Sequence, residues 1–271
     1  MDLFQFVVNS GLNQGHPVET GGPTGVQVPR WKRVLDICLI VMSFPVWFPL
    51  MLMVGAYIGL VSPGPILFKQ ERVGFLGRKF MCFKFRSMVV GADSSVHQGH
   101  LHRLMSSNEP MVKMDAHGDP RVIFLGSLLR SSGLDELPQI FNVLRGEMSL
   151  VGPRPCLPYE FEKYLPWQRE RFDTLPGLTG HWQVSGKNRT TFVEMIRLDI
   201  DYVRTKTLWM DVNIIVKTIP ALLVQMAESR RKRKSSAAAA QADLAARALS
   251  VTRQPVTGND SRTVPNANRD V

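Results

Sequence analysis

The sequence predicts an α+β protein that is mostly helical, with a small antiparallel hairpin, a re-entrant membrane helix and interfacial amphipathic helices. Three observations predict this class. The stretch from Ile37 to Val61 contains no charged side chain. Short runs of β-prone residues surround Gly74 and Gly77, as they do in a hairpin. Two helical patterns, the second of them amphipathic, occupy residues 191–226.

The uncharged stretch would be roughly 37 Å long as one continuous helix, which is enough to cross a bilayer core. Pro45 and Pro49 lie near its middle, where each removes a backbone donor. Positive side chains flank both ends of the stretch, and this favours the cytoplasmic side for both. A segment that enters the membrane, bends near Pro45 and returns satisfies both observations, with Ser43 as a partner for freed backbone groups. A buried core helix and a straight single span are the alternatives.

Four segments follow from these patterns. Residues 1–29 are rich in Gly, Pro, Gln and Asn and are predicted to be a disordered N-terminus. Residues 30–62 form the re-entrant helical hairpin, and residues 63–226 form a cytoplasmic domain. Residues 227–271 are basic and then Ala-rich, and they are predicted to be a disordered tail.

Within the cytoplasmic domain, Pro138 favours the first position of a helix that runs to Gly146. Residues 92–104 can form another helix, and "LPGLTGHWQVSGKN" is a glycine-rich loop. Trp209 stands at the start of an amphipathic helix of the kind that lies on a membrane surface.

The composition excludes fewer classes of function than the motifs do. The net charge of +10 suits nucleic acid, an anionic membrane surface or phosphate-bearing substrates. The three cysteines lie far apart, and the histidines between residues 97 and 117 have no cysteine nearby, so no zinc site is expected. The basic run "SRRKRK" lacks interleaved aromatic residues, so it suits anionic lipid headgroups and no nucleic-acid partner is expected.

Two adjacent carboxylates, Asp135 and Glu136, precede the helix predicted at Pro138. A carboxylate at such a position can attack phosphorus as a covalent nucleophile or hold Mg²⁺. Two neighbours in a turn can divide these tasks. An acidic pair that only caps a helix is the alternative interpretation.

Four cations could accompany this pair at a polyphosphate site. Arg130 lies five residues before Asp135, and Arg154 is fixed between two prolines, as a bidentate phosphate clamp requires. Lys84 and Arg86 alternate with aromatic residues, which places both cations on one face of a strand. The alternatives are a structural Arg154 paired with a buried carboxylate, and a solvated strand face.

The motifs "KRVLDICLIVMSFP", "FKFRSM", "SSGLDELPQIFNVLRGEMSLVGPRP", "PGLTGHWQVSGKN" and "LDIDYV" occur in an order that resembles the bacterial sugar transferase family. These are the monotopic phosphoglycosyl transferases that start exopolysaccharide and related glycan assembly. The resemblance runs from Arg30 to Met226. It implies transfer of a sugar 1-phosphate from a UDP-sugar to polyprenol (undecaprenyl) phosphate, with release of UMP, at the inner membrane of a bacterium with the catalytic domain in the cytoplasm.

The resemblance also implies roles for single residues. The aspartate that matches Asp135 attacks phosphorus and forms a phosphosugar ester, and the glutamate that matches Glu136 binds Mg²⁺. Other matched polar positions would neutralise phosphate or organise the site: Lys84, Arg130, Arg154 and Asp199. Arg86 in "FKFRSM" and Gln183 in the glycine-rich loop complete the predicted substrate site. A homodimer and downstream glycosyltransferases are further partners that the resemblance allows.

The sequence departs from the family pattern at several places. The usual Ser-Pro of the helix break is Ser43-Phe44-Pro45, and Gly133 stands where Ser or Thr is usual. In the glycine-rich loop, His181 replaces Trp or Leu and Lys187 replaces Arg. The resemblance favours glucose or galactose as the sugar, with amino sugars open. A non-catalytic membrane-bound scaffold of a polysaccharide assembly complex is the alternative function, and it predicts no UMP release.

Overall fold

A computed structural model of the chain describes residues 27–89, 99, 110, 121–186 and 190–252. Within these ranges the protein is mostly helical with a small antiparallel sheet, which confirms the coarse prediction. The helices are α1 (Arg30–Met42), α2 (Phe44–Val61), α3 (Gly126–Ser132), α4 (Ile140–Leu144), α5 (Pro158–Lys163), α6 (His181–Val184), α7 (Phe192–Thr205) and α8 (Leu208–Thr252). The strands are β1 (Leu67–Val73), β2 (Lys79–Phe85), β3 (Ser149–Val151) and β4 (Gly177–Thr179), and 3-10 helices cover Phe75–Gly77, Leu134–Gln139 and Pro166–Phe172.

The predicted hairpin is present. Strands β1 and β2 pair antiparallel, with Leu67 opposite Phe85 and Val73 opposite Lys79. Gly74 and Gly77 lie in the turn, where the Gly74 amide donates to the Arg78 carbonyl at 2.9 Å. The local pattern was sufficient because both strands and their turn lie within 19 residues of sequence.

A second, parallel pair of strands was not predicted. Strands β3 and β4 pair in parallel, with Ser149 opposite Gly177. A Cβ on Gly152 would lie 2.2 Å from the Leu175 carbonyl oxygen, and one on Gly177 would lie 2.1 Å from the Gly152 amide nitrogen. Only glycine permits this close approach. The glycine-rich loop of the sequence therefore begins with a strand.

Helices α1 and α2 are separated by a break at Ser43. The Ser43 hydroxyl donates to the Leu39 carbonyl at 2.6 Å, and the Trp47 indole donates to the Ile40 carbonyl at 2.9 Å. Pro45 has no amide hydrogen to continue the α1 ladder. The two side chains thus satisfy carbonyl groups at the end of α1, as a helix break in an apolar environment requires.

The first end of the helix pair is fixed to the rest of the protein by charged groups. The buried Lys32 ammonium lies 2.6 Å from the Asp211 carboxylate and donates to the Tyr202 hydroxyl at 2.8 Å. Arg33 donates to the last carbonyl groups of α4. The start of α1 is therefore attached to α4, α7 and α8.

The far end of α2 is fixed to the same body. The Arg86 guanidinium donates to the Ser62 carbonyl at 2.5 Å and to the Pro63 carbonyl at 2.8 Å. The Tyr57 hydroxyl donates to the Phe124 carbonyl at 2.6 Å. Both ends of the α1–α2 pair consequently rest on one folded unit.

Two helices are long and apolar enough to cross a membrane, judged by length and composition within the described ranges. They are α2 and the first part of α8, Leu208–Arg231, and only 17% and 11% of their apolar windows are buried. The core helix of a water-soluble protein would be mostly buried, so the buried-core alternative for α2 is disfavoured. Exposed apolar side chains on these elements and at the end of α1 include Val41, Met42, Val46, Met53, Leu60, Trp209, Val216, Ile219 and Leu223.

The structure corrects two boundaries. Helix α8 continues to Thr252, so the tail predicted to be disordered from residue 227 is helical over 227–252. Alanine has the highest helix propensity of any residue type, and the Ala-rich stretch therefore favours a helix despite its low complexity. The helical segment expected to begin at Pro138 begins at Leu134 as a 3-10 helix, and α4 follows.

Several predictions fall on residues outside the described ranges. They concern most of the N-terminal segment 1–29, all but residue 99 of the helix predicted over 92–104, the histidines between 97 and 117, Lys187, and the end of the tail from 253.

Candidate active site

The acidic pair lies in a short helical turn that a glycine introduces. Helix α3 ends at Ser132, and Gly133 follows with φ +75°, a left-handed conformation that glycine adopts without steric cost. The 3-10 helix then carries Asp135 and Glu136 in its first turn, where the Glu136 amide donates to the Gly133 carbonyl at 3.0 Å. The reversal at Gly133 thus sets the position of both carboxylates.

Strand β2 brings a cation to this turn. The Lys84 ammonium lies 2.8 Å from Oε1 of Glu136, and the two side chains are 18% and 35% exposed. The pair is accessible to a substrate at this level of exposure, and it is less screened than a fully exposed ion pair. Lys84 and Glu136, 52 residues apart in sequence, form the centre of the predicted site.

Several charged side chains act on the buried thiol of Cys82. Burial raises the pKa of Cys82, and the nearby cations Lys84, Arg72 and Arg154 oppose this rise while Glu136 reinforces it. All four charged groups therefore act on one buried sulfur. Arg154 and Arg72, the second of which was not predicted, therefore share with the Lys84–Glu136 pair an electrostatic effect on Cys82.

The backbone around Arg154 is held by four hydrogen bonds. Each carbonyl group from residue 153 to residue 156 accepts a hydrogen bond from a different donor. The bonds are Gly177 N to Pro153 O (2.9 Å), Arg171 Nη2 to Arg154 O (3.0 Å), Arg72 Nη1 to Pro155 O (3.2 Å) and Val73 N to Cys156 O (2.9 Å). Two of the four donors are buried guanidinium groups.

Asp199 does not face the site as a substrate ligand would. Its carboxylate is 2% exposed and lies 2.5 Å from Nη2 of Arg171, which also donates through Nη1 to the Tyr164 hydroxyl at 2.7 Å. Burial raises the pKa of Asp199 to about 6, although Arg171 opposes the rise. The contact with Arg171 is consistent with the prediction that Asp199 organises the site. It is not consistent with a direct role in substrate binding, because the carboxylate is enclosed.

The remaining predicted residues occupy different positions. Arg86 is 5% exposed and binds the carbonyl groups at the end of α2, so the structure does not place it beside Lys84 on a strand face. Strand β2 ends at Phe85, which is why the alternation assumed in the sequence fails. Arg130 lies in the last turn of α3. Gln183, in α6, donates to the Leu178 carbonyl at 3.4 Å, and its Oε1 atom has no hydrogen-bond partner among the described residues.

The residues present suit Mg²⁺ by their chemistry. Within the described ranges, no three acidic, His or Cys side chains converge, so these ranges contain no metal cage made of protein alone. Mg²⁺ is commonly held by one or two carboxylates together with substrate phosphates and water. Asp135 and Glu136 offer two carboxylates on one turn, which fits that mode.

The apolar helix α8 contacts the acidic turn directly. Gln225 donates to the Ser131 carbonyl of α3 at 2.9 Å, and Leu222 Cδ2 lies 3.6 Å from where a Cβ of Gly133 would be. The Thr218 and Thr179 hydroxyl groups are 2.7 Å apart. The site is therefore adjacent to one of the two apolar helices.

The acidic turn and its lysine lie beside apolar helices that expose much of their surface, as a membrane-associated protein would. The chain belongs to the bacterial sugar transferase family, whose profile matches residues 28–225. This result confirms the family inferred from the motifs.

The chain also resembles individual proteins of known role over most of its length. It is 38% identical over 233 residues to a UDP-glucose:undecaprenyl-phosphate glucose-1-phosphate transferase of Caulobacter vibrioides, covering 79% of this chain and 82% of the relative. It is 35% identical to the exopolysaccharide production protein ExoY of Rhizobium meliloti, covering 76% and 91%. It is 37% identical to an undecaprenyl-phosphate galactose phosphotransferase of Salmonella typhimurium, covering 71% of this chain and 40% of that longer protein.

Sequence reasoning missed three residues of the site environment. Arg72 and Arg171 hold the loop of Arg154. Glu160 is a partly exposed carboxyl whose pKa is raised by desolvation, and the cations Arg72, Arg154 and Arg171 oppose this rise. The signal for Arg72 and Arg171 was weak because an arginine near aromatic residues is usually solvent-exposed. Their burial could be recognised only after the fold was known.

Proposed function

We propose that this protein transfers a sugar 1-phosphate from a UDP-sugar to undecaprenyl phosphate and releases UMP, as the first membrane step of exopolysaccharide or related glycan synthesis. The observation that carries the proposal is the Lys84–Glu136 pair at 2.8 Å beside Asp135. It supports a site for a negatively charged diphosphate in a chain of the sugar transferase family. The names of the Caulobacter and Salmonella relatives specify undecaprenyl phosphate as acceptor.

The proposed reaction has two displacements at one phosphorus atom. A carboxylate oxygen of Asp135 attacks the phosphorus that carries the sugar, and the bond to the bridging oxygen breaks, so UMP leaves with that oxygen. A phosphate oxygen of undecaprenyl phosphate then attacks the same phosphorus, and the bond to Asp135 breaks. The products are UMP and undecaprenyl-diphosphate-sugar, and the Asp135 carboxylate is restored without any change of oxidation state.

The other side chains are proposed to stabilise charge. Lys84 neutralises phosphate oxygens when the diphosphate is bound, and Arg154 acts as a second cation. Glu136, with Asp135 beside it, would hold Mg²⁺, and the ion would supply charge neutralisation of the diphosphate. Arg130, in the last turn of α3, would contribute positive charge from that side.

Activity and nucleophile can be tested together. Membranes that contain the full chain are supplied with undecaprenyl phosphate and each of several UDP-sugars, and UMP is measured. We expect release with UDP-glucose or UDP-galactose, and loss of both UMP release and phosphosugar-labelled protein in Asp135→Asn. Asp201→Asn is the matched control, because Asp201 is exposed on α7. Full activity of Asp135→Asn would refute the assigned nucleophile, and absence of UMP with every donor would favour the scaffold alternative.

We also propose that the α1–α2 pair enters and leaves the membrane on the cytoplasmic side. The support is that both of its ends rest on one folded unit, through Arg33 at the first end and Arg86 at the second. A straight span would separate these ends by a bilayer. The apolar residues around the break at Ser43 are exposed, as they are expected to be if the bend lies within lipid.

Cysteine labelling distinguishes the two topologies. In a Cys38→Ser background, the other two cysteines are buried, and Gln27→Cys and Pro65→Cys place single thiols at exposed positions beyond the two helix ends. We expect a membrane-impermeant maleimide to label both in inside-out vesicles and neither in right-side-out vesicles. Val46→Cys, near the bend, is expected to be protected in both. Labelling of Gln27→Cys and Pro65→Cys from opposite sides would refute the proposal.

A further inference from the structure

The loop Gly152–Cys156 follows β3 and belongs to no helix or strand, apart from a single β-bridge at Cys156. All of its carbonyl groups from Pro153 onward nevertheless accept a hydrogen bond. Pro153 and Pro155 restrict the backbone on both sides of Arg154. The proline rings limit one torsion angle each, but they cannot fix the direction in which the loop faces the site. That direction depends on what holds the carbonyl groups.

Two of these donors are unusual, because they are buried arginine side chains. Arg171 is 2% exposed and Arg72 is 7% exposed. Burying a guanidinium is unfavourable unless its donors are bound, and a simple loop could be held by water or by backbone amides at a lower desolvation cost. Rigid forks of donors are suited to fixing neighbouring carbonyl groups in one geometry.

We propose that Arg171, held by Asp199 and Tyr164, and Arg72 are positioning residues that aim Arg154 at the substrate diphosphate. The inference rests on the proposed function, since it assigns Arg154 to phosphate binding. Arg171 receives its own orientation from two sides, Tyr164 at 2.7 Å and Asp199 at 2.5 Å, before it reaches the Arg154 carbonyl at 3.0 Å. Asp199 then does not contact the substrate: it orients Arg171, and Arg171 orients the loop of Arg154.

Arg72 provides a separate connection to the same loop. It donates through Nη2 to the Gln70 side chain at 2.6 Å and through Nη1 to the Pro155 carbonyl at 3.2 Å, so β1 positions the residue after Arg154. The hairpin that carries Lys84 on β2 therefore also holds the loop that carries Arg154. The two cations assigned to the diphosphate are thus placed by one sheet.

A double-mutant cycle between Arg171 and Arg154 tests the proposal. UMP release is measured with undecaprenyl phosphate and whichever of UDP-glucose and UDP-galactose the unaltered protein uses faster. Arg171→Lys keeps the charge beside Asp199, but a single ammonium cannot reproduce the forked contact with Tyr164, Asp199 and the loop. We expect kcat/KM to fall about ten- to a hundredfold, as displacement of a catalytic group by about 1 Å does.

The cycle separates positioning from general stability. In an Arg154→Ala background, Arg171→Lys is expected to lower kcat/KM by less than about threefold, because the group that it positions is gone. Arg204→Lys is the matched control: Arg204 also forms a forked pair, with Glu170 at 2.6 Å, but it is exposed and these bonds go to Glu170 and not to the loop of Arg154. It should leave kcat/KM unchanged. Equal losses from Arg171→Lys in both backgrounds, or no loss in either, would overturn the proposal.

A milder variant covers the case in which Arg171→Lys does not fold. Tyr164→Phe keeps the ring packing and the ion pair between Arg171 and Asp199. It removes only the hydroxyl that accepts from Nη1 of Arg171. The same cycle with Arg154→Ala then decides the question by the same criterion. If the unaltered protein releases no UMP from any UDP-sugar, or Arg154→Ala has no effect, it is the proposed function or the role of Arg154 that fails, and this result is distinct from equal losses in both backgrounds.

Discussion

The ammonium of Lys84 on strand β2 lies 2.8 Å from the carboxylate of Glu136 on the 3-10 helix. In the proposed function, a bound diphosphate would offer Lys84 a more strongly charged partner than Glu136. The pair would then link substrate binding to the position of the acidic turn.

Replacement of Lys84 is expected to damage catalysis more than stability. In Lys84→Met, kcat/KM for the UDP-sugar should fall by about a hundredfold, a loss typical for removal of one electrostatic group from a transition state. The melting temperature should change little, since the pair is partly exposed. UMP release and thermal unfolding are measured on the same preparation.

The control for this variant lies on the same strand. Lys79 forms a surface pair with Glu71 at 3.0 Å, and both side chains are about half exposed. Lys79→Met should retain kcat/KM within about twofold. The assignment of Lys84 to the diphosphate would be rejected if the two lysine variants had equal activity.

Local features of the fold could be predicted from the sequence. The break at Ser43 follows from a proline and a hydroxyl within three residues, and the hairpin follows from alternation on both sides of Gly74 and Gly77. The acidic pair at Asp135 could be selected because adjacent carboxylates beside apolar residues require an explanation. Each of these signals is contained in a short window.

Features that depend on distant partners could not be predicted. Nothing in the sequence pairs Asp199 with Arg171, 28 residues away, so a place beside the substrate was as reasonable an expectation for this carboxylate as a buried one. Arg86 was expected on a strand face because alternation continues past Phe85, whereas the strand ends there. Burial decides the role of a charged residue, and burial is determined by the whole fold.

The buried ion pair between Lys32 and Asp211 provides a test of how α1 is held. Both side chains are at most 1% exposed. Lys32→Met leaves a buried carboxylate without its cation and should lower the free energy of unfolding by about 3–5 kcal/mol. Lys32→Met combined with Asp211→Leu should recover much of this loss, because the buried carboxylate of residue 211 that lost its cation is then absent.

The stability of both variants is measured by thermal unfolding in detergent. Lys217→Met is the control, since Lys217 is exposed on the same helix as Asp211, and it should change the melting temperature by less than about 2 °C. A double variant as unstable as Lys32→Met would contradict the assignment of the loss to the unpaired charge.

Gly133 should be required for its backbone conformation and not for space. A Cβ there would meet only Leu222 Cδ2 at 3.6 Å, an ordinary contact, but the φ angle of +75° disfavours an L-residue by about 1–2 kcal/mol. Gly133→Ala should therefore lower the free energy of unfolding by that amount, and Gly133→Asn by less.

Gly55→Ala gives the opposite expectation in the same protein. Gly55 lies within α2, and a Cβ there would be 3.8 Å from its nearest neighbours, so alanine should be neutral or stabilising by up to about 1 kcal/mol. Denaturant titration of both variants in detergent gives the comparison. Equal effects at the two positions would show that the left-handed conformation does not determine the choice of glycine at 133.

Asp199 should make the stability of the protein depend on pH between about 4 and 6. Burial raises its pKa to about 6, above the ordinary value of 3.8, so the folded protein binds this proton more tightly than the unfolded chain does. The contribution of the group to the free energy of unfolding is therefore greatest below pH 4 and decreases as the pH rises to 6, by up to about 3 kcal/mol at about 1.4 kcal/mol per pKa unit. Asp199→Asn cannot titrate, so the melting temperature of the unaltered protein minus that of Asp199→Asn should fall between pH 4 and pH 6 and stay constant from pH 7 to pH 8. A difference that rises over the acidic interval would mean that Arg171 outweighs burial and lowers the pKa of Asp199.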